Sequence, residues 1–150
     1  MKNISIYLST SLLLIVTSCN AKTNEPTITI IGGAKSVSGS CYLIETPKSN
    51  FLVDCGSFYP DSSELSYEED VELTEQSNSK LPLDPDHVSS ILITHAHLDH
   101  IGKIPLMVKN GYDGSLISTP KSKELSLVMF EMILKGSNLG QEQFLKSQKS

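Results

Sequence analysis

Three histidines and one aspartate fall within six positions of this chain: His95, His97, Asp99 and His100, in the stretch ILITHAHLDHIG (91–102). Imidazole nitrogens and a carboxylate this close together form the donor set of a transition-metal site, zinc first, with iron or manganese as alternatives. An apolar run, Ile91 to Ile93, leads directly into the cluster. If the chain stays extended past that run, His95 and His97 share a face, because side chains two apart in a strand point the same way. Two imidazoles on one side suit one ion. Asp99 and His100 lie just past a turn and aim at a second ion nearby, or at the water between the two. A pair of metal ions can share a hydroxide near neutral pH, because cations lower the pKa of bound water. Such a hydroxide attacks a carbonyl or phosphoryl centre, and Asp99 is the candidate catalytic residue beside it. Gly102 has no Cβ and lets the backbone crowd close to the cluster. The competing reading is a surface loop that happens to be rich in histidine. The spacing, and the strand before it, disfavour that.

The elements that must position the cluster alternate between strand and helix. Ser89 to Thr94 suit a buried strand whose end opens into a crevice, a favoured place for sites in α/β folds. Upstream, TITIIGG (27–33) reads as a strand. SCYLIET (40–46) and FLVDCG (51–56) read as a hairpin turning at PKSN. Pairing Glu45 with Phe51 would set Cys41 opposite Cys55. We read these two as small buried side chains, with a disulfide as the alternative. From Asp61 to Glu75 there are seven acidic residues and no basic one, which suggests a solvated, mobile loop. Pro85 and Asp86 suit a short helical turn. DHIGKIPLMVKNGY (99–112) reads as a short helix that Pro105 starts or interrupts. GSLIST (114–119) is a further strand. Thr119-Pro120 caps a helix whose Leu125, Val128, Met129, Met132 and Ile133 fall on one face, with Gly136 as a stop signal. LGQEQFLKSQKS (139–150) is a weaker final helix. The sum is an α/β layered fold without internal repeats.

Bulk composition fits a globular domain: 39% hydrophobic, 19% charged, mean hydropathy −0.08. The net charge is −5 and all 12 basic residues are Lys. That argues mildly against nucleic acid as an obvious partner, because phosphate recognition favours the Arg fork, although a local groove can still be basic. The N-terminus has a secretory layout: Lys2, an apolar stretch from Ile4 to Val16, then small residues before Cys19. Val16-Thr17-Ser18-Cys19 resembles a bacterial lipobox. The resemblance implies cleavage before Cys19, a lipid on that residue, and an exported chain anchored to a bacterial membrane, periplasmic or at the cell surface. Residues 1–18 are then a signal peptide, 19–26 a tether, and 27–150 the domain. A plain signal peptide or an uncleaved anchor helix is the alternative.

The pattern H-x-H-x-D-H followed by Gly is similar to the signature of the metallo-β-lactamase fold hydrolases. IGGAKSVSGSCYLIET, FLVDCGSFYPD and the stretch from Leu83 to Pro120 look like the N-terminal half of the branch that carries a β-CASP domain. Members of that branch are commonly nucleases. The resemblance implies part of an αββα sandwich with two zinc ions at one edge, His95 and His97 on one ion, Asp99 and His100 on the other. Asp54 matches the family's first-motif Asp, placed beneath the metals to orient ligands; the alternative is a turn-forming Asp before Gly56. The family also uses a His after the long helix, then a bridging Asp and a terminal His. Leu139 falls where the first of these is expected, and Leu cannot bind zinc. His87, the remaining histidine, is expected to be structural or solvated. The chain is therefore expected to be a fragment, holding each ion with two donors where catalytic zinc wants three, unless a complementing chain supplies the rest.

Three functional readings follow. The first is a dinuclear, zinc-type hydrolase acting on a phosphodiester, with a metal-bound hydroxide as nucleophile. The second is a non-catalytic, truncated or degenerate lipoprotein that binds metal or a partner. The third is a lactam or thioester hydrolase, which the segments outside the cluster make less apt.

Overall fold

β-branched residues in TITIIG and CYLIE favour extended chain. The computed structural model, which describes residues 25–136, places them in β1 (Thr27–Gly32) and β2 (Cys41–Glu45). Their antiparallel ladder continues through β3 (Asn50–Val53). Two short strands, β4 (Ser90–Leu92) and β5 (Ser115–Ile117), then add in parallel, giving a sheet ordered β1-β2-β3-β4-β5. Parallel neighbours require crossovers. The first contains helix α1 (Tyr67–Asn78), and the second contains α2 (Leu98–Ile101) and α3 (Ile104–Lys109). Helix α4 (Pro120–Gly136) follows β5. Leu52, Ile91, Ile101, Ile104, Met107 and Phe130 are the fully buried centre of the core. The expected α/β fold is what forms.

The hairpin register differs from expectation by one residue: Glu45 faces Asn50, and Tyr42 faces Val53. The reason is the turn. Thr46 N–H donates to the Ser49 carbonyl (3.0 Å), and Thr46 Oγ1 accepts the Ser49 N–H (3.0 Å), closing a four-residue turn over Pro47 and Lys48. Beyond Val53 the register recovers. Asp54, at φ 60°, is the extra residue of a bulge. Past it, Gly56 N–H donates to the Ser40 carbonyl (2.9 Å). Cys41 and Cys55 thus oppose one another. Both are free and buried. A hydrogen bond from the Cys55 thiol pulls Cys41 below the usual thiol range, and the same bond, together with burial, pushes Cys55 up.

Three further expectations are corrected. The acidic stretch is largely helix α1, not a mobile loop. Ser66 accepts the Glu69 N–H and Glu69 returns a bond to the Ser66 N–H, a complete capping box. Glu68, Glu69 and Asp70 in the first turn suit the positive end of the helix dipole. The segment 99–112 forms two helices, broken at Gly102-Lys103, with Pro105 in the first turn of the second. In α4 the buried stripe is Ser126, Phe130 and Leu134, whereas Leu125, Val128 and Met132 of the expected face are about 60% exposed. The helix is apolar around much of its girth; Met129 and Ile133 of the expected face pack against the core beside the 126–130–134 line, and the rest of that face is exposed.

Cys19, the leader and most of the tether lie outside the described residues, as do Leu139 and the expected final helix. No helix among the described residues is long and apolar enough to cross a membrane.

Candidate metal centre

Strands β3 and β4 run side by side in parallel and end together, Val53 against Leu92. The residues after them therefore emerge at one edge of the sheet, where open α/β sheets carry their sites. Asp54 comes first. Its left-handed backbone is one that Asp tolerates better than most non-glycine residues. The Asp54 N–H still donates to the Leu92 carbonyl (2.9 Å). Its carboxylate, 2% exposed, reaches over the end of β4. Oδ1 accepts the Thr94 N–H (2.9 Å). Oδ2 accepts the Thr94 hydroxyl (2.8 Å) and the His100 Nδ1–H (2.7 Å). A carboxylate taken out of water needs such donors. Having donated to Asp54, the Thr94 hydroxyl accepts from His95 Nδ1 (3.0 Å).

This network assigns two tautomers. His95 and His100 each hold a proton on Nδ1, so each presents the lone pair of Nε2. His100 Nε2 lies 3.5 Å from Asp99 Oδ2. Lone pair then faces carboxylate, an arrangement that a cation between or beside them relieves. The His95 ring lies 4.0 Å from that of His100 and 4.6 Å, edge to face, from that of His97, centroid to centroid. The structure thus brings together all four cluster residues and sets Asp54 beneath them. His87 lies apart, half-exposed at the other end of the sheet, against Glu45 and Asn50.

Backbone bonds hold the turn that carries Asp99 and His100. Cys55 N–H donates to the His100 carbonyl (2.7 Å), Ser57 N–H to Leu98 (2.9 Å), Ser40 N–H to Asp99 (2.9 Å), and Lys103 N–H to Cys55 (2.9 Å). The approach is close enough that a Cβ on Gly56 would overlap the Asp99 carbonyl, and one on Gly102 the Ser57 hydroxyl. Gly102 was expected to permit crowding and does so against the 55–57 segment. The part played by Gly56 and the linking hydroxyl of Thr94 had no assigned role in the sequence reading. Their signal is position alone: a Gly two residues after the Asp, and a Thr at the mouth of the strand.

The family model described as the metallo-beta-lactamase superfamily matches residues 35–127, more than half of the chain. The chain belongs to the metallo-β-lactamase superfamily. Its relatives include the transcription termination factor FttA of Methanosarcina mazei, 32% identical over 111 residues. That match covers 74% of this chain and 16% of the relative. Ribonuclease TTHA0252 of Thermus thermophilus is 32% identical over 106 residues, covering 69% of this chain and 22% of that protein. Ribonuclease J of Helicobacter pylori is 37% identical over 82 residues, covering 55% and 11%. These relatives agree with the resemblance to the β-CASP branch. The chain spans less than a quarter of the length of each.

Members of this superfamily bind metal ions, often zinc. The cluster suits that in kind: two imidazoles with Nδ1 tied and Nε2 free, a third beside them, and a carboxylate opposite, backed by a buried Asp. In number it falls short. Among the described residues, no three His, Cys, Asp or Glu side chains converge to hold one ion.

Proposed function

We propose that this chain carries the first half of the metal site of a nuclease-like, metallo-β-lactamase-type hydrolase whose substrate is a phosphodiester. The observation that carries the reading is the bond chain Asp54–Thr94–His95 with its branch Asp54–His100, which ties the Nδ1 of two imidazoles and leaves Nε2 of each as the donor. Ribonucleases among the relatives support the substrate class. His95 and His97 would hold one ion, Asp99 and His100 the other, with zinc preferred and iron or manganese compatible. When bound, the metal supplies Lewis acidity and lowers the pKa of its water. The chain's own residues hold the proton on His100 Nδ1, orient both rings, and set the Asp99 carboxylate as acceptor for a proton from the attacking water.

A second reading, a non-catalytic protein that binds metal or a partner, draws support from the shortage of converging donors. Zinc competition together with hydrolysis of a labelled RNA oligonucleotide separates the two. On the first reading, His97→Ala weakens zinc binding at least about tenfold, His87→Ala leaves it unchanged, and Asp99→Asn abolishes hydrolysis. Zinc binding without turnover supports the second reading. Equal loss from His97→Ala and His87→Ala refutes the assigned site. Export and a lipid on Cys19 complete the proposal; they rest on the lipobox-like sequence and are tested by metabolic labelling with a fatty acid. A complementing chain that supplies the remaining ligands belongs to the same proposal.

A further inference from the structure

Cys41 and Cys55 sit beside the metal centre and take no part in it. Their backbone setting is specific. Gly56 N–H donates to the Ser40 carbonyl (2.9 Å), while the Ser40 N–H turns away to the Asp99 carbonyl (2.9 Å), so a single cross-strand bond joins the two segments here. The next pair along is Cys41 and Cys55. The Cys55 N–H points away from β2, to the His100 carbonyl. Directly opposed residues of antiparallel strands have Cα atoms about 4.5–5.5 Å apart. That lies within the range of about 4.4–6.8 Å that a disulfide spans. Both residues line one cavity of about 460 Å³, and Lys35, Lys80 and Lys103 line the same cavity. Cys41 is 3% exposed and Cys55 is 0% exposed. Cys41 is the more accessible of the two.

We propose that Cys41 and Cys55 form a reversible disulfide site whose oxidant is a small, anionic disulfide. The Cys41 thiolate attacks one sulfur of the oxidant. A mixed disulfide forms, and the first leaving thiolate takes up the proton that Cys41 released. Cys55 then loses its proton and attacks the Cys41 sulfur, expelling the second small thiol. Two protein thiols are oxidised and one small disulfide is reduced to two thiols. The lysines favour an anionic oxidant in the cavity. The product ties β2 covalently to the segment that continues from Asp54 and backs the turn bearing Asp99 and His100, so closure locks the bulge beneath the cluster.

The unaltered, reduced chain tests this without any variant. It is incubated with glutathione disulfide, alkylated in denaturant and cleaved after lysine. Cleavage at Lys35, Lys48 and Lys80 releases Cys41 in peptide 36–48 and Cys55 in peptide 49–80. The expected product is the two peptides joined, two hydrogens lighter than their sum, replacing most of both alkylated peptides and separated again by dithiothreitol. Recovery of both peptides alkylated, glutathione retained on either cysteine, or a link to Cys19 overturns the proposal.

Discussion

Asp54→Asn is the sharpest perturbation of the centre. Asn matches Asp in volume and adopts the left-handed backbone readily, so the change acts on the carboxylate alone. The wild-type carboxylate accepts from the Thr94 N–H, the Thr94 hydroxyl and the His100 Nδ1–H. An amide nitrogen must replace one oxygen. At the Oδ1 position it opposes the Thr94 N–H, which cannot become an acceptor. At the Oδ2 position it opposes His100 Nδ1, which can, by moving its proton to Nε2. The second arrangement is the cheaper, and it removes the lone pair offered to a metal. Three bonds to a charged group, each about 1.5–3 kcal/mol, become neutral bonds of about 0.5–1.5 kcal/mol. Relief from burying a charge offsets part of that loss. The net destabilisation is about 2 kcal/mol, a shift of about 1 M in the urea midpoint. Zinc affinity falls about 10–100-fold. Long-range nitrogen–proton NMR reads the tautomer directly, alongside urea unfolding and zinc competition. A variant whose His100 keeps its proton on Nδ1, with zinc affinity within about twofold of wild type, would refute the reasoning.

Other expectations follow from single contacts. Gly56→Ala drives a Cβ into the Asp99 carbonyl and costs about 2–3 kcal/mol in chemical unfolding, with zinc binding lost as the turn moves. Among the described residues the buried Ser126 hydroxyl has no hydrogen-bond partner, so Ser126→Ala raises stability by about 1 kcal/mol through lower desolvation cost and better helix propensity. Burial raises the Tyr112 phenol above its ordinary value of 10.0. The folded state holds that proton more tightly than the unfolded state. The stability this contributes is fully present below pH 10 and is lost as pH rises above it. Urea midpoints should therefore show the gap between wild type and Tyr112→Phe narrowing from pH 9 to pH 11.

How much of this was legible without coordinates depends on range. Strands β1 to β5 were readable because β-branched runs bounded by Gly, Pro and Asn carry their own local signal. The Thr119-Pro120 start of α4 was readable for the same reason: Thr119 Oγ1 accepts the Ser122 N–H as a cap. Helix α1 was legible in principle, through Ser66 and Glu69, but a count of acidic residues hid it. The buried line of α4 was legible only in part, through Met129 and Ile133, because a helix apolar around much of its girth does not say which face meets the core. The hairpin register turned on whether the Thr46–Ser49 turn closed, and one residue of slip there moves every pair up to the bulge at Asp54.

The sequence by itself determined which donors this protein owns, their spacing of two, two and one residues, and the strand that delivers them. Those are properties of neighbours in the chain. Only the tertiary structure decided that Asp54, 46 residues before His100, accepts the hydrogen bond of its Nδ1–H, and that the Thr94 hydroxyl passes the same constraint to His95. That contact exists because β3 and β4 lie parallel and end together. Strand order is settled by burial across the whole sheet and by the crossover that α1 spans, which local spacing does not encode.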